Sequence, residues 1–246
     1  EVGAVVEAFR SLSLTASDRP ILTVYGTEPV GGLSMAQQVA NALGEPVRVH
    51  HGVLTTDPDG TSHRTAVDSA GLPTWQPFAQ LCTYYPGRLG VTVDRWNTPF
   101  RGAHLVEAAR YRLTADWVVD IVPAGLLAHP ITAATDPLLR SGPIHPDHVD
   151  LIIDCPNREL LPDDMLTALG RLGDSLAPNA RSRLRLVLTP GVKPNSIRLC
   201  AGPCRLRRCL GATGDGIPGA SGRRGPGGRH PGGRVGGLGP ACRRSR

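Results

Sequence analysis

The stretch ILTVYGTEPVGGLSMAQQVANALGEPVRVHHG, residues 21–52, decides the predicted fold. Its first apolar run, ILTVY, is typical of a strand that is buried on both faces of a parallel sheet. A loop containing Gly follows, and then an amphipathic stretch in which Ser34 and Gln37 form a capping-box pattern. Gly44 ends that stretch where helices favour left-handed backbone geometry, and PVRVHHG supplies a second strand. The pattern predicts a right-handed parallel βαβ unit with its helix near 34–43.

The remaining segments predict more strands and a second unit of the same kind. The opening segment EVGAVVEAFRSLS predicts a helix, and GVLTTDPDGTSHRTAV predicts a hairpin because DPDG suits the turn. LCTYYPGRLGVTVDRWNTP indicates one short strand, FRGAHLVEAARYRL an amphipathic helix, and DWVVDIVPAGLLA a strand that ends near Pro123. VDLIIDC, MLTALGRLGDSL and RLRLVLTPG predict a second strand–helix–strand unit. Its last strand alternates Arg with Leu, which favours a sheet edge.

These elements predict an α/β fold of short parallel βαβ units, in Rossmann-like or caspase-like layers, with a β-hairpin. We predict an α/β module over residues 1–129, followed by a Pro-rich linker over 130–148. Residues 149–191 begin a second α/β module. Residues 192–246 are expected to be a disordered basic tail rich in Arg, Gly and Pro.

The net charge of the tail differs from that of the rest of the chain. Residues 192–246 hold 12 Lys or Arg against one acid, a balance of +11, whereas the whole chain carries +6. Residues 1–191 therefore carry −5, and the basic character of the chain belongs to the tail. With 14 Gly and no apolar period, the tail cannot bury enough surface to offset its chain entropy. It is either a genuine basic arm that binds nucleic acid weakly or the product of a frameshift in a GC-rich gene.

The loop over 25–34 is the first place to look for chemistry. It lacks the Lys of a phosphate-binding Walker loop, the spacing of a dinucleotide-binding loop and the G-x-S-x-G frame of a nucleophile elbow. Ser34 is therefore interpreted as a helix cap.

Two predicted strands end at this edge of the sheet. Tyr25, Gly26 and Thr27 follow the first strand, and His50 and His51 end the second. Ligands of α/β folds bind at the carboxyl ends of parallel strands. Adjacent strand residues point to opposite faces, so at most one His can face a site. These five residues are the ligand-binding candidates, and we assign no catalytic residue among them.

Other reactive side chains lack a recognisable motif. Cys155 follows Asp154 at a strand end, but no nucleophile signature surrounds it. The four Cys of the tail lack zinc-ribbon spacing. Two His and two Asp resemble a metal cluster in a Pro-rich loop: His145, Asp147, His148 and Asp150. We expect no metal and no cofactor. The apolar runs are too short for a membrane span, and no signal peptide is visible.

The run RPILTVYGTEPVGGLSMAQQVANALGEPVRVHHGVLTTDPDGTSHRT…TWQPF, about residues 19–78, resembles a module of very large actinobacterial proteins. That module is similar to the second half of caspase-like domains, and some copies are called lonely-Cys domains. The family often has Cys or Ser where the first strand ends, but here Tyr25 holds that position, followed by Gly26 and Thr27. The resemblance implies a degenerate copy within a large, multi-module, polymorphic-toxin-like protein, either cytoplasmic or secreted.

Three functions follow from this resemblance and from the composition. The first is a catalytically degenerate caspase-like scaffold or interaction module whose partners are other modules of the same protein. The second is a peptidase-like hydrolase with its site at the 25–34 loop and a His. The third is weak nucleic-acid contact through the tail. A His-Gly strand end encoded upstream of Glu1 would distinguish the hydrolase from the scaffold.

Overall fold

The structure is a computed structural model that describes residues 2–12, 20–25, 33–87, 90–100, 102–155 and 161–190. The helices are α1 (Val2–Ser11), α2 (Met35–Leu43), α3 (Pro137–Arg140), α4 (Asp163–Ser175) and α5 (Pro178–Arg181). The strands are β1 (Leu22–Val24), β2 (Val47–His51), β3 (Val53–Thr56), β4 (Ser62–Thr65), β5 (Ala79–Tyr84), β6 (Val91–Trp96), β7 (His104–Glu107), β8 (Arg110–Arg112), β9 (Trp117–Val122), β10 (Gly125–Pro130), β11 (Val149–Ile153) and β12 (Leu184–Leu188).

The strands of the described residues form three sheets, which gives a mixed α/β fold as predicted. One sheet has the order β1-β2-β5-β6, a second has the order β12-β11-β10-β9-β8-β7, and β3 pairs with β4 in a hairpin. The hairpin confirms the prediction from the DPDG turn. The predicted tail over 192–246 lies outside the described residues.

The first predicted unit is present as β1, α2 and β2. β1 and β2 are parallel, with Leu22 opposite Val49. Gly44 has a φ of 73° at the end of α2, as predicted for the helix terminus. The connection over 26–32 lies outside the described residues, so the right-handed crossover stays a prediction.

The predicted capping box is half right. Ser34 Oγ accepts a hydrogen bond from the Gln37 backbone N–H at 3.3 Å, which confirms Ser34 as a cap. The Gln37 side chain does not return to Ser34; its Nε2 donates to the Tyr85 carbonyl at 2.7 Å and to Asn41 Oδ1 at 3.0 Å. Gln37 is buried, and its amide therefore ties α2 to the segment after β5.

Replacing Ser34 by Ala should lower the free energy of unfolding by about 1 kcal/mol, because the substitution leaves the Gln37 N–H without its acceptor. Chemical denaturation of the two chains measures the difference. Ser69→Ala, at an exposed position outside the helices and strands, is the matched control and should change stability by less than about 0.5 kcal/mol. Equal effects of the two substitutions would contradict the capping role.

The second predicted unit is present as β11, α4 and β12. β11 and β12 are parallel, and β12 lies at a sheet edge, as its Arg-Leu alternation predicted. Asp163 and Asp164 lie in the first turn of α4, where the helix dipole favours negative charge.

The segment predicted as a linker, 130–148, joins two strands of the same sheet. β10 and β11 are parallel neighbours, with Leu126 opposite Leu151 and Ala128 opposite Ile153. Within the segment lie α3 and the buried side chain of Ile144. A single sheet therefore contains strands from both sides of this segment.

Three predictions of local structure are wrong, each because strand pairing within a sheet decides the outcome. Residues 79–96 contain two strands, β5 and β6, instead of one. DWVVDIVPAGLLA contains both β9 and β10, which turn at Pro123 and Ala124. FRGAHLVEAARYRL is the β7–β8 hairpin instead of a helix, since β8 pairs with β9.

Candidate functional site

Of the five ligand-binding candidates at the ends of β1 and β2, the structure describes Tyr25, His50 and His51, and their environments differ. Val24 is opposite His51 in the register, and Tyr25, the next residue, is two-thirds exposed. His51 is buried and His50 is half-buried, as alternation along a strand requires. No hydrogen bond joins Tyr25 to either His among the described residues, which do not include Gly26 and Thr27.

The side chain of His51 is enclosed by the fold and contacts Tyr84. Its Nε2 lies 3.3 Å from the hydroxyl oxygen of Tyr84 on β5, and the two ring centroids are 6.2 Å apart. Burial lowers the pKa of His51 to about 4, helped by the positive charges of His50 and Arg64. The ring is neutral at physiological pH and enclosed.

His50 faces the other side of the sheet. Its Nδ1 lies 3.3 Å from the Gln80 carbonyl, and burial is the main cause that lowers its pKa. The two His therefore do not form a pair that acts on one ligand.

The candidate nucleophiles are also engaged in the fold. Cys82 and Cys155 are almost completely buried, and burial raises the pKa of the Cys82 thiol far above its ordinary value. Asp154 accepts a hydrogen bond from Thr189 Oγ1 at 3.0 Å, next to the parallel pair β11–β12. Ser34 is the helix cap. A buried thiol with a raised pKa is a poor nucleophile.

The two His side chains before β11 stack on each other, and Asp150 within β11 forms an ion pair with Arg185 on β12. The rings of His145 and His148 stack with centroids 3.9 Å apart. Asp150 accepts two hydrogen bonds from Arg185, at 2.7 and 2.8 Å. Burial lowers the pKa of His148 to about 4. Within the described ranges, no three His, Cys, Asp or Glu side chains are placed to hold a metal ion.

A cluster of charges around Asp120 was not predicted from the sequence. Asp120 lies on β9 and is 3% exposed. Arg110 Nε and Nη2 donate to its two oxygens at 2.6 and 3.1 Å. His129 Nε2 lies 3.0 Å from Oδ2, and Arg140 Nη2 also donates to Oδ2. We call these four residues the Asp120 cluster.

The Asp120 cluster keeps its carboxylate ionised. Burial alone would raise the pKa of Asp120, but hydrogen bonds from His129 and Arg110 and the charge of Arg140 outweigh burial and hold the pKa well below its ordinary value. His129 Nδ1 lies 2.9 Å from the Pro130 carbonyl. Both ring nitrogens of His129 thus face oxygen atoms that can accept a hydrogen bond.

A cleft of about 250 Å³ opens beside the Asp120 cluster. One wall is β6 and another is β9, and Glu107 stands at the rim with its carboxylate 2.8 Å from Arg110 Nη1. One signal in the sequence could have pointed here, since WVVDIV places an acid in the middle of an otherwise apolar strand. Its three partners, Arg110, His129 and Arg140, lie on β8, β10 and α3, and no local pattern connects them.

No family model matches the chain, and no curated protein or solved structure shows significant similarity to it. Among the described residues, no helix has both the length and the apolar character that crossing a membrane requires.

Proposed function

We propose that the chain is a catalytically degenerate caspase-like module that serves as a scaffold or interaction module within a larger protein. The observation that carries this proposal is the placement of His51. The residue that would act as a base at the end of β2 is buried, neutral and directed to Tyr84. A general base must instead reach the proton that it removes from a bound substrate.

The side chains that would supply a nucleophile support the same proposal. Ser34 is used as a helix cap, and Cys82 and Cys155 are enclosed. At the position where the resembled family often has Cys or Ser, this chain has Tyr25, which offers neither a thiol nor an aliphatic hydroxyl. Ser34, Cys82 and Cys155 thus have structural roles, as expected in a module that presents a surface.

Covalent labelling tests whether these side chains are inert. The full chain is treated with iodoacetamide at pH 8 and, separately, with a fluorophosphonate probe, and peptide mapping locates the adducts. We expect Cys82 and Cys155 to stay unmodified in the folded chain and to react fully after unfolding in guanidinium, because burial protects both and raises the pKa of the Cys82 thiol. The Ser34 peptide should carry no adduct.

A matched pair of variants separates the scaffold from the hydrolase. Tyr84→Phe removes the hydrogen bond of His51 but keeps the imidazole, whereas His51→Gln removes the imidazole. For a scaffold, both variants change only the melting temperature. Peptide hydrolysis by the unmodified chain that is lost in His51→Gln and kept in Tyr84→Phe would overturn the proposal. A His-Gly strand end encoded directly upstream would count against it as well.

A further inference from the structure

We propose that the cleft beside the Asp120 cluster binds a small aliphatic carboxylate through Arg110 and Arg140. This inference goes beyond the scaffold role and does not depend on it. The cleft lies apart from the ends of β1 and β2, where the sequence placed its candidates.

The guanidinium groups of Arg110 and Arg140 are held in place by hydrogen bonds and still have N–H groups that can donate to a ligand. Asp120 holds Arg110 through Nε and Nη2, and it holds Arg140 through Nη2. Thr135 Oγ1 accepts from Arg140 Nε at 2.7 Å. Within the described part of the chain, Arg140 Nη1 makes no hydrogen bond. Both side chains are more than a quarter exposed and line the cleft. Guanidinium groups that are oriented beforehand lose little freedom when a carboxylate binds.

The charges around the cleft favour a monoanion. Arg110 and Arg140 contribute two positive charges, and Asp120 and Glu107 contribute two negative ones. Asp120 is buried between the two arginines, whereas Glu107 is 65% exposed and can leave Arg110 for solvent. A carboxylate ligand would take the place of Glu107 at Arg110 and keep these charges balanced, whereas a phosphate dianion would leave an excess of negative charge.

The side chains that line the cleft indicate the size and polarity of the rest of the ligand. Val91, Val93, Ile121 and Val122 line the cleft, and its volume suits a few heavy atoms beyond the carboxylate. Glu107 is an example of a carboxylate bound at this surface, because it accepts a hydrogen bond from Arg110 Nη1 at 2.8 Å. Glu107 is mostly exposed, and a ligand would compete with it for that donor.

The test is a titration of the full chain with isobutyrate at neutral pH and low chloride, followed by NMR of the backbone and Arg Nε signals. We expect saturable shifts at the cleft with a Kd of roughly millimolar size. Isobutyramide has the same shape without the charge and should cause no saturable shift. Inorganic phosphate should bind more weakly than isobutyrate.

Three variants test the roles of Arg140 and Glu107 in the binding. Arg140→Gln should weaken isobutyrate binding about tenfold, because one guanidinium partner is lost while Asp120 keeps Arg110 and His129. Glu107→Gln should tighten binding a few-fold, since it removes a competing negative charge. Arg171→Gln, on the exposed face of α4, is the matched control and should leave the Kd unchanged.

Melting temperatures of all three variants verify that each is folded. The proposal is overturned by equal binding of isobutyrate and isobutyramide, by tighter binding of phosphate, or by no saturable shift up to about 100 mM ligand. It is also overturned if a folded Arg140→Gln chain binds isobutyrate as well as the unmodified chain, or if Glu107→Gln fails to tighten binding.

Discussion

Replacing Asp120 by Asn is expected to lower the free energy of unfolding by roughly 3 to 5 kcal/mol. The carboxylate is buried, and Arg110, His129 and Arg140 all donate to it or lie within hydrogen-bond distance of it. The amide keeps the size of the side chain but removes the buried counterion that Arg110 and Arg140 share. Urea denaturation at pH 7 measures the loss.

Asp174→Asn is the control for this substitution. Asp174 is an exposed carboxylate on α4, and its replacement should change stability by less than about 0.5 kcal/mol.

The same variants test how the contribution of Asp120 to stability depends on pH. Asp120 has a lowered pKa in the folded protein, so its contribution is present above the unfolded pKa of about 4 and decreases as the pH falls further. The stability difference between the unmodified chain and Asp120→Asn should therefore narrow in acid. A loss at pH 7 below about 1 kcal/mol would show that the cluster contributes little.

Replacing Gly125 by Ala is expected to destabilise the protein by more than about 3 kcal/mol. Gly125 begins β10 with a φ of 146°, a backbone conformation that residues with a side chain rarely adopt. A Cβ there would collide with the backbone of Asp150 on β11, lying 2.9 Å from its nitrogen and closer still to its carbonyl oxygen. Backbone atoms of a central strand cannot move aside without breaking the β10–β11 ladder.

Gly170→Ala is the control, and it should change stability in the opposite direction. Gly170 lies inside α4, and a Cβ there would meet nothing within 4 Å. This substitution should stabilise the chain by about 0.5 to 1 kcal/mol, because Ala favours the helical backbone. A Gly125→Ala chain with an unchanged melting temperature would mean that the β9–β10 turn accommodates a side chain.

The parts of the fold that local chemistry determines could be predicted from the sequence. Ser34 and Gly44 mark the two ends of α2, and each acts on backbone groups within its own helix. The turn residues between β3 and β4 likewise set their own hairpin. The segment over 104–112 could not be predicted in this way. Its EAAR sequence has good helix propensity, but pairing of β8 with β9 and the contact between Arg110 and Asp120 override that propensity.

The candidate site residues likewise divide into features that the local sequence predicts and features that depend on strand pairing. His50 and His51 were placed correctly at a strand end, and their opposite faces follow from strand geometry alone. That His51 meets Tyr84 depends on β5 lying next to β2, which nothing local to the sequence of β2 reveals. The Asp120 cluster depends on the pairings of β8 with β9 and of β9 with β10 and on the position of α3, so only the acid inside an apolar strand pointed to it.

The pairing of β10 with β11 bears on how the gene can be divided for expression. A shortened gene that stops between residues 130 and 148 would encode β10 without its neighbour on that side. Leu126, Leu127 and Ala128 are fully enclosed in the complete sheet, and the shortened product would present them on an open strand edge. Such an edge recruits strands from other copies and leads to insoluble protein. A useful expression boundary therefore lies beyond β12, after Thr189.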